Sequence, residues 1–371
     1  MNKILKFIKK EAVMCVSLLL AIASIFFVPL GREYISYIDF HTLIILLSLM
    51  IVMAGLRNLG VFSIIGSRML QKTGNVRSLT IVLVMLCFMF SMFITNDVAL
   101  ITFVPFAIDV LAMAGLEEYL IRVIVLQTIA ANLGSMLTPI GNPQNLYLYS
   151  LSGMGLGEFL LLLLPYTLVS FICLLACAVL TGRKNILVNM QPSHKLEKAD
   201  KLKAAAYILL FLLALLSVAR IVPVFVAGGV TLAAVLLLDR RVLRKPDYAL
   251  LLTFVFLFVF IGNIRRIPEI NAWLKSIING NEILTSILAS QVISNVPAAI
   301  LLSGFTDNIP ALLIGTNLGG LGTIIASMAS LISFKYYGTT ANKRNSAYLG
   351  VFTLLNLVFL AILYLLYCLI G

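Results

Sequence analysis

Two short stretches put polar residues where the chain is otherwise apolar: Thr95-Asn96-Asp97 and Ser294-Asn295-Val296. Hydroxyl and amide oxygens of this kind suit a hard cation such as Na⁺, and Asp97 can act as a cation ligand or a proton carrier. Two further clusters carry similar chemistry. One holds Asn132, Gly134, Thr138, Pro139, Gly141, Asn142, Pro143, Gln144 and Asn145; the other holds Thr316, Asn317, Gly319 and Thr323. An Asp at the centre of a spanning helix costs about 2.5–3.5 kcal/mol on insertion. Irregular backbone at membrane depth is tolerated only around a cavity. The four clusters are therefore read as the walls of one site. Thr95-Asn96-Asp97 and Ser294-Asn295 also suit helix N-caps, with Pro297 in a first turn, but a cap alone does not require membrane depth. At such a break the first arm ends in free carbonyls, which favour a cation, and the second begins with free N–H groups, which favour an anion.

Candidate substrate contacts are Thr95, Asn96, Asp97, Thr138, Pro139, Asn142, Ser294, Asn295, Val296 and Thr323. Candidate cation ligands are Thr95, Asn96, Asp97, Asn132, Gly134, Ser294, Asn295, Asn317 and Gly319. No Lys or Arg stands at either tip, so substrate charge falls to helix N-termini and bound cations. Arg122 is the nearest candidate to reach in.

The elements that must hold these residues follow from composition. Of 371 residues, 61% are hydrophobic and 11% charged, and the mean hydropathy is +1.08. A water-soluble domain carries about 25% charged residues. An ordinary soluble enzyme, a disordered chain and a nucleic-acid binder are excluded, despite a net charge of +12. The fold class is an all-α polytopic membrane protein. Crossings are expected at 12–30, 42–58, 119–150, 157–181, 204–219, 222–238, 247–262, 309–334 and 345–370. The stretches 79–114 and 282–305 each suit either two crossings or a re-entrant hairpin and are read as hairpins; in the second, arms of about a dozen residues at 1.5 Å each cannot span about 30 Å. Spans 119–150 and 309–334 are read as broken helices.

With the N-terminus in the cytoplasm, 22 of the 27 Lys and Arg fall in cytoplasmic segments, as the positive-inside rule requires. Met1 to Lys10 leads into a retained first span rather than a cleaved signal. Ile264 to Ile278 and, more weakly, Val61 to Leu70 have amphipathic patterns that suit the membrane surface. The five cysteines lie in apolar runs and suggest no disulfide framework; Cys173 and Cys177, one turn apart, are the only pair spaced for a soft metal. Asp109 is either a second proton-carrying group or a residue at the cytoplasmic interface, and the interface is the favoured reading.

The chain also repeats itself. Phe93 to Ala99 aligns with Val292 to Ala298, and Ala131 to Thr138 aligns with Thr316 to Thr323, 185 positions apart as Asn132 and Asn317 are. Residues 1–181 form the first repeat, 182–221 a cytoplasmic linker plus the connecting span 204–219, and 222–371 the second repeat. One separating span inverts the second repeat, an arrangement found in secondary transporters.

Thr95-Asn96-Asp97-Val98-Ala99-Leu100, Leu137-Thr138-Pro139-Ile140-Gly141-Asn142-Pro143-Gln144-Asn145 and Ile293-Ser294-Asn295-Val296-Pro297 resemble the ion transporter superfamily with the citrate-transporter-like domain. That group includes arsenite permeases, NhaD-type sodium/proton antiporters and sodium-coupled dicarboxylate symporters; the pattern is most similar to the YbiR-type permeases. The symporters carry Ser-Asn-Thr at each tip, binding carboxylate and Na⁺. Here Thr95 and Ser294 match the Ser, and Asn96 and Asn295 the Asn, but Asp97 and Val296 replace the Thr. That weakens a dicarboxylate assignment; the Asn-Asp pair is closer to the arsenite permeases. The resemblance also implies a homodimer.

The expected function is ion-coupled secondary active transport of a small anion, an inorganic oxyanion or a carboxylate, by alternating access in the plasma (inner) membrane. Na⁺ or H⁺ is the coupling ion; no cofactor is expected, and membrane lipid and a second copy are the expected partners. The alternative is a Na⁺/H⁺ antiporter with no anion substrate. An intramembrane enzyme is remote: His41 and His194 form no metal motif, and no nucleophile constellation is present. A channel is a further remote alternative.

Overall fold

The computed structural model describes residues 7, 11–70, 73–182, 184–185 and 197–370. The rest of the basic stretch Met1 to Lys10, Lys72, and most of the linker 182–203, with His194, lie outside the described residues. Among those described, the chain is helical, and its only β pairing is an isolated bridge between Asn75 and Asn185.

Local sequence sets the ends of the elements. Helix α1 (Ala12–Ile25) is followed by a short α2 (Glu33–Ser36). Asp39 caps α3 (Phe40–Asn58) by accepting from Thr42 N–H at 3.0 Å. After α4 (Val61–Leu70), Asn75 and Ser78 form a reciprocal capping box that starts α5 (Val76–Ile94). The chain turns at Thr95 into α6 (Asn96–Met113). Helix α7 (Leu120–Ser135) then stops short, and α8 (Pro143–Ser152) resumes behind Asn142 as cap and Pro143 as first residue. Pro suits that position because its missing N–H has no intrahelical partner there. Then come α9 (Leu156–Val179), α10 (Lys198–Val218) and α11 (Val224–Asp239). The axis turns by 89° around Pro246 before α12 (Tyr248–Ile264), which Asp247 caps. An outlying α13 (Pro268–Ile278) leads to α14 (Glu282–Ile293) and, after Ser294, α15 (Asn295–Ser303). Helix α16 (Ile309–Gly319) is interrupted like α7 and followed by α17 (Met328–Tyr337) and α18 (Asn345–Ile370).

Among the described residues six helices are long and apolar enough to cross a membrane: α3, α5, α6, α9, α10 and α18. Their outward faces are apolar: Leu161, Ile172, Leu209 and Leu365 are all more than 60% exposed. That is the face a bilayer covers, and the chain is a multi-pass membrane protein. The two hairpins differ in reach. Arms α5 and α6, with 19 and 18 residues, are about 28 and 27 Å long. Arms α14 and α15, with 12 and 9 residues, reach only about 18 and 14 Å, far less than a hydrocarbon core of about 30 Å. In the first pair the Phe90 and Phe103 rings meet at 5.3 Å, so the arms fold back on each other about Thr95.

The helices fall into two groups. Helices α1, α3, α10, α11 and α12 pack together as a frame, α1 along α12 and α3 against α10 and α11. The hairpins, the broken helices, α9 and α18 form the other group. Contact between the groups runs through α3 with α8 and α12 with α15. Chain ends and loops gather at two opposite poles. At one, Asn342 bonds Glu117 and Lys184 lies 3.7 Å from Glu118. At the other, Asn263 bonds both Ser24 and Tyr34, and Arg266 pairs with Glu33. Asp109 is exposed. On α13, Ile270, Trp273 and Ile277 stand exposed in a row, with Lys275 on the opposite face.

Candidate functional site

Each hairpin tip is a single residue in the same unusual conformation. Thr95 has φ 71°, ψ 149° and Ser294 φ 73°, ψ 154°. This region is nearly reserved for glycine and costs about 1–3 kcal/mol for other residues. What holds each tip in place is a hydrogen bond to the neighbouring broken helix: Asn96 N–H donates to Gly141 O at 3.0 Å, and Asn295 N–H donates to Ala326 O at 3.0 Å.

The same correspondence continues outward from the tips. Thr138 Oγ1 donates to Met92 O, three residues before Thr95. Thr323 Oγ1 donates to Gln291 O at 3.2 Å, three residues before Ser294. Gly134 lies so close to Phe88 O and Ser91 Oγ, and Gly319 to Ser290, that a β-carbon would clash at either position. The halves also cross-link. Asn142, which caps α8, donates to Asn317 Oδ1 at 3.1 Å, while Ser327, at the start of α17, donates to Asn132 Oδ1 at 3.0 Å. Asn317 Nδ2 in turn reaches Asn145 Oδ1 at 2.6 Å, and Asn96 Nδ2 reaches Asn132 Oδ1 at 3.3 Å.

Asn96, Asp97, Asn295 and Val296 from the tips are thus brought together with Gln144 and Ser327 around one small cavity of about 10 Å³. Asn132, Asn142, Asn317, Gly134 and Gly319 stand directly behind this wall and fix it. Thr138, Pro139 and Thr323 do not face the cavity. The Thr138 and Thr323 hydroxyls are spent on the first arms of the hairpins, and Thr138 and Pro139 line an apolar cleft of about 580 Å³ on the far side of the break. A matching apolar cleft of about 300 Å³ runs past Val292, Pro297 and Ile325 beside α1.

Three sequence expectations need correction or addition. Free N–H groups were expected at the start of each second arm. At the first tip they are taken: Asn96 N–H by Gly141, Asp97 N–H by Asn96 Oδ1 at 2.9 Å, and Val98 N–H by Thr95 Oγ1 at 3.4 Å. Arg122 does not reach the site; its Nη2 donates to Cys177 O at 2.9 Å, because its place near the start of α7 puts it at the pole. The addition is Gln144. It is 1% exposed, and among the described residues neither its Oε1 nor its Nε2 has a hydrogen-bond partner. Asp97 Oδ1 is likewise buried without one. Each such orphan costs about 1–3 kcal/mol. The sequence shows Gln144 only as one of three neighbouring amides, with Asn142 and Asn145, and nothing sets it apart.

Two approaches to the cavity differ. A cleft of about 190 Å³ runs from Thr95 and Asp97 along α3 to Arg57, Asn58, Lys245 and Asp247, which are exposed at its mouth. At the other pole, Tyr147 and Ser303 share a hydrogen bond of 2.8 Å, and the Tyr147 ring packs on Phe254 and Phe258. This layer closes the floor of a separate pocket at Tyr37 and Arg265. The donor set around the tips, neutral oxygens plus one carboxylate, suits a hard monovalent cation. Most of the amide oxygens expected to ligate one are already engaged, leaving Asp97 and Gln144 as the unoccupied oxygens. Among the described residues no cluster of three His, Cys, Asp or Glu side chains could hold a metal ion.

Comparison with known proteins agrees with this architecture. Residues 4–314 match the citrate transporter family CitMHS. A transporter of Methanocaldococcus jannaschii is 32% identical over 335 residues, covering 88% of this chain and 90% of its own length. The inner membrane protein YbiR of Escherichia coli is 31% identical over 326 residues, covering 86% of each chain. A silicon efflux transporter of rice (Oryza sativa subsp. japonica) is 31% identical over a shorter stretch of 143 residues, 38% of this chain and 29% of its own. A membrane architecture with polar helix breaks at its centre and a family match over most of the length lead to one conclusion: the chain belongs to the CitMHS citrate transporter family, alongside YbiR, and is a transporter rather than an enzyme.

Proposed function

We propose that the protein is a secondary active transporter that couples Na⁺ or H⁺ to the movement of a small anion, an inorganic oxyanion or a carboxylate, by alternating access. One observation carries this reading. The cavity between the tips, with the unpartnered Asp97 Oδ1, meets a cleft open at one pole and is sealed by Tyr147 and Ser303 at the other. One-sided access to a central site is what one half of an alternating cycle presents. The paired geometry at Thr95/Ser294 and Asn132/Asn317 supports an inverted repeat, which allows the opposite half. Thr95, Asn96, Ser294 and Asn295 hold the tips, and Asp97 takes the coupling ion. The protein works in the plasma (inner) membrane with its N-terminus cytoplasmic, as the distribution of Lys and Arg supports, and as a homodimer, as the family resemblance implies.

The test is thermal stability of purified protein in choline, K⁺ and Na⁺ at two pH values, with Asp97→Asn alongside. A ligand at 100 times its Kd adds about 2.7 kcal/mol to the folded state. A saturable Na⁺ shift lost in Asp97→Asn assigns Na⁺ coupling, and a pH response lost in the same variant assigns H⁺. An Asp97→Asn protein that keeps ion-dependent transport removes Asp97 from the coupling role. A second reading, Na⁺/H⁺ exchange without an anion, is favoured by the lack of any cationic side chain around the small cavity among the described residues. Proton movement driven by a Na⁺ gradient in proteoliposomes free of added solute separates it from the first.

A further inference from the structure

The pocket beyond the Tyr147 seal has no part in the reading above. It holds about 200 Å³ at the pole opposite the cleft to Asp97, against about 10 Å³ between the tips. Tyr37 and Arg265 enter it from the ends of α2 and α12, and Tyr147 and Ser303 from α8 and α15. Two glycines give it its shape. A β-carbon at Gly262 would fall 2.3 Å from the Tyr37 ring, and one at Gly304 would fall 2.5 Å from Ile261. Bare backbone at these points lets the Tyr37 ring lie on α12 and lets α15 close on the last turn of α12. Most hydroxyl protons in the wall are engaged. Ser36 Oγ donates to Glu33 O at 2.6 Å and Ser303 Oγ to Ile300 O at 2.9 Å, so Tyr147 O–H is the donor of the floor bond. Two donor groups are left. Tyr37 Oη accepts from Arg266 at 3.3 Å and keeps its own proton. Arg265 carries five N–H donors and, among the described residues, has neither a hydrogen bond nor a carboxylate partner. The carboxylates of this pole that could serve are taken: Glu33 pairs with Arg266, and Asp39 caps α3. No carboxylate lines the pocket among the described residues.

A pocket with one uncompensated guanidinium, one free phenol proton and no acid attracts an anion and repels a cation. We propose that it is a second anion site, separate from the cavity between the tips, where a soluble carboxylate or inorganic oxyanion docks on its way into or out of the protein. Arg265 pairs with two of its oxygens, and Tyr37 O–H donates to it. The positive charge is built into the wall, so docking here needs no coupling ion and no contribution from Asp97. The role on the solute path rests on the transport reading above. A docked anion lies over Tyr147, whose ring packs on Phe254 and Phe258 and closes the way to the tips. Arg265 is exposed, so the affinity falls as salt is added.

The experiment uses the full chain in detergent, with potassium citrate and potassium phosphate as probes and potassium chloride at equal ionic strength as the control. A saturable thermal shift is expected with at least one probe, without Na⁺, in wild-type protein and equally in Asp97→Asn. Arg265→Gln should lower that affinity about tenfold or more. Arg265→Lys should keep part of it, and Tyr37→Phe should weaken it less than Arg265→Gln does. In proteoliposomes, Arg265→Gln should raise the KM for uptake of the probe from the side that bears Arg32 and leave kcat unchanged. A merely structural role would instead lower kcat and the ligand-free melting temperature. The proposal is overturned by a shift that disappears in Asp97→Asn, by one that Arg265→Gln leaves intact, or by no shift with either probe. A response to phosphatidylglycerol in nanodiscs without one to the soluble anions would also overturn it, since the pocket would then hold a lipid headgroup. Failure of the transport reading looks different: Arg265-dependent binding persists, but no gradient of Na⁺ or H⁺ drives flux of either probe. Flux with an unchanged KM in Arg265→Gln would leave transport standing and remove this inference.

Discussion

Thr95 and Ser294 sit in backbone conformations that glycine adopts freely and they do not. The strain is maintained by what each residue supplies besides backbone: Thr95 Oγ1 caps Val98 N–H, and Ser294 Oγ points toward Asn295 and Ala326 O at 3.5 and 3.4 Å. Ser294 makes only these long contacts, so Ser294→Gly should raise the stability of ligand-free protein by about 1 kcal/mol while weakening any response to coupling ion or substrate. A thermal melt with and without ligand checks both halves of that statement. Gly134 and Gly319 carry the opposite constraint. Gly134→Ala pushes a methyl group into the Phe88 carbonyl and should cost about 1–3 kcal/mol, measurable as a loss of melting temperature. These residues were legible from the sequence because polar residues such as Asn are rare at membrane depth and recurred in register with Gly and Thr. Gln144 was not singled out, because an amide with partners and an amide without them read alike until the neighbours are placed.

At the scale of elements, the hairpins are held by side chains that no local pattern marks. Gln127, on α7 and fully buried, donates to Leu83 O at 3.2 Å and Phe103 O at 3.3 Å, one carbonyl from each arm of the first hairpin. Gln127→Leu should therefore loosen α5 from α6 and cost about 1–3 kcal/mol. Faster amide exchange confined to the two arms is the expected signature; uniform destabilisation would mean that Gln127 merely fills space. Helix boundaries lay close to the expected spans, since caps such as Asn75, Asn142 and Asp247 are local signals. Contacts such as Asn263 with Ser24 and Tyr147 with Ser303 join residues 239 and 156 positions apart, and nothing in the composition of either segment announces the partner. Arg122 was misjudged for the same reason: its charge was visible, but the Cys177 carbonyl that takes it was not.

At the scale of the whole molecule, the frame and the site-bearing group touch chiefly along α3 and α12, and the cleft to Asp97 opens between them at one pole. A cysteine placed at Ile101, in a background without the five native cysteines, should react with an impermeant thiol reagent from the side that bears Lys343. It should be protected from the side that bears Arg32. Equal labelling from both sides would contradict the one-sided access described here. A substrate that turns the site toward the other pole should slow the reaction.

The amides that cross between the halves also govern how the protein is made. Asn317 completes the bonding of Asn142 and Asn145, and Ser327 and Gly320 that of Asn132. A nascent chain emerges N-terminus first, so Asn132, Asn142 and Asn145 enter the bilayer well before their partners have been translated. During that interval the first half is a half-finished joint, with polar groups that lipid cannot satisfy. Synthesis that stalls before Asn317 leaves a product destined for membrane proteases. Two separately expressed halves should accumulate only when made together.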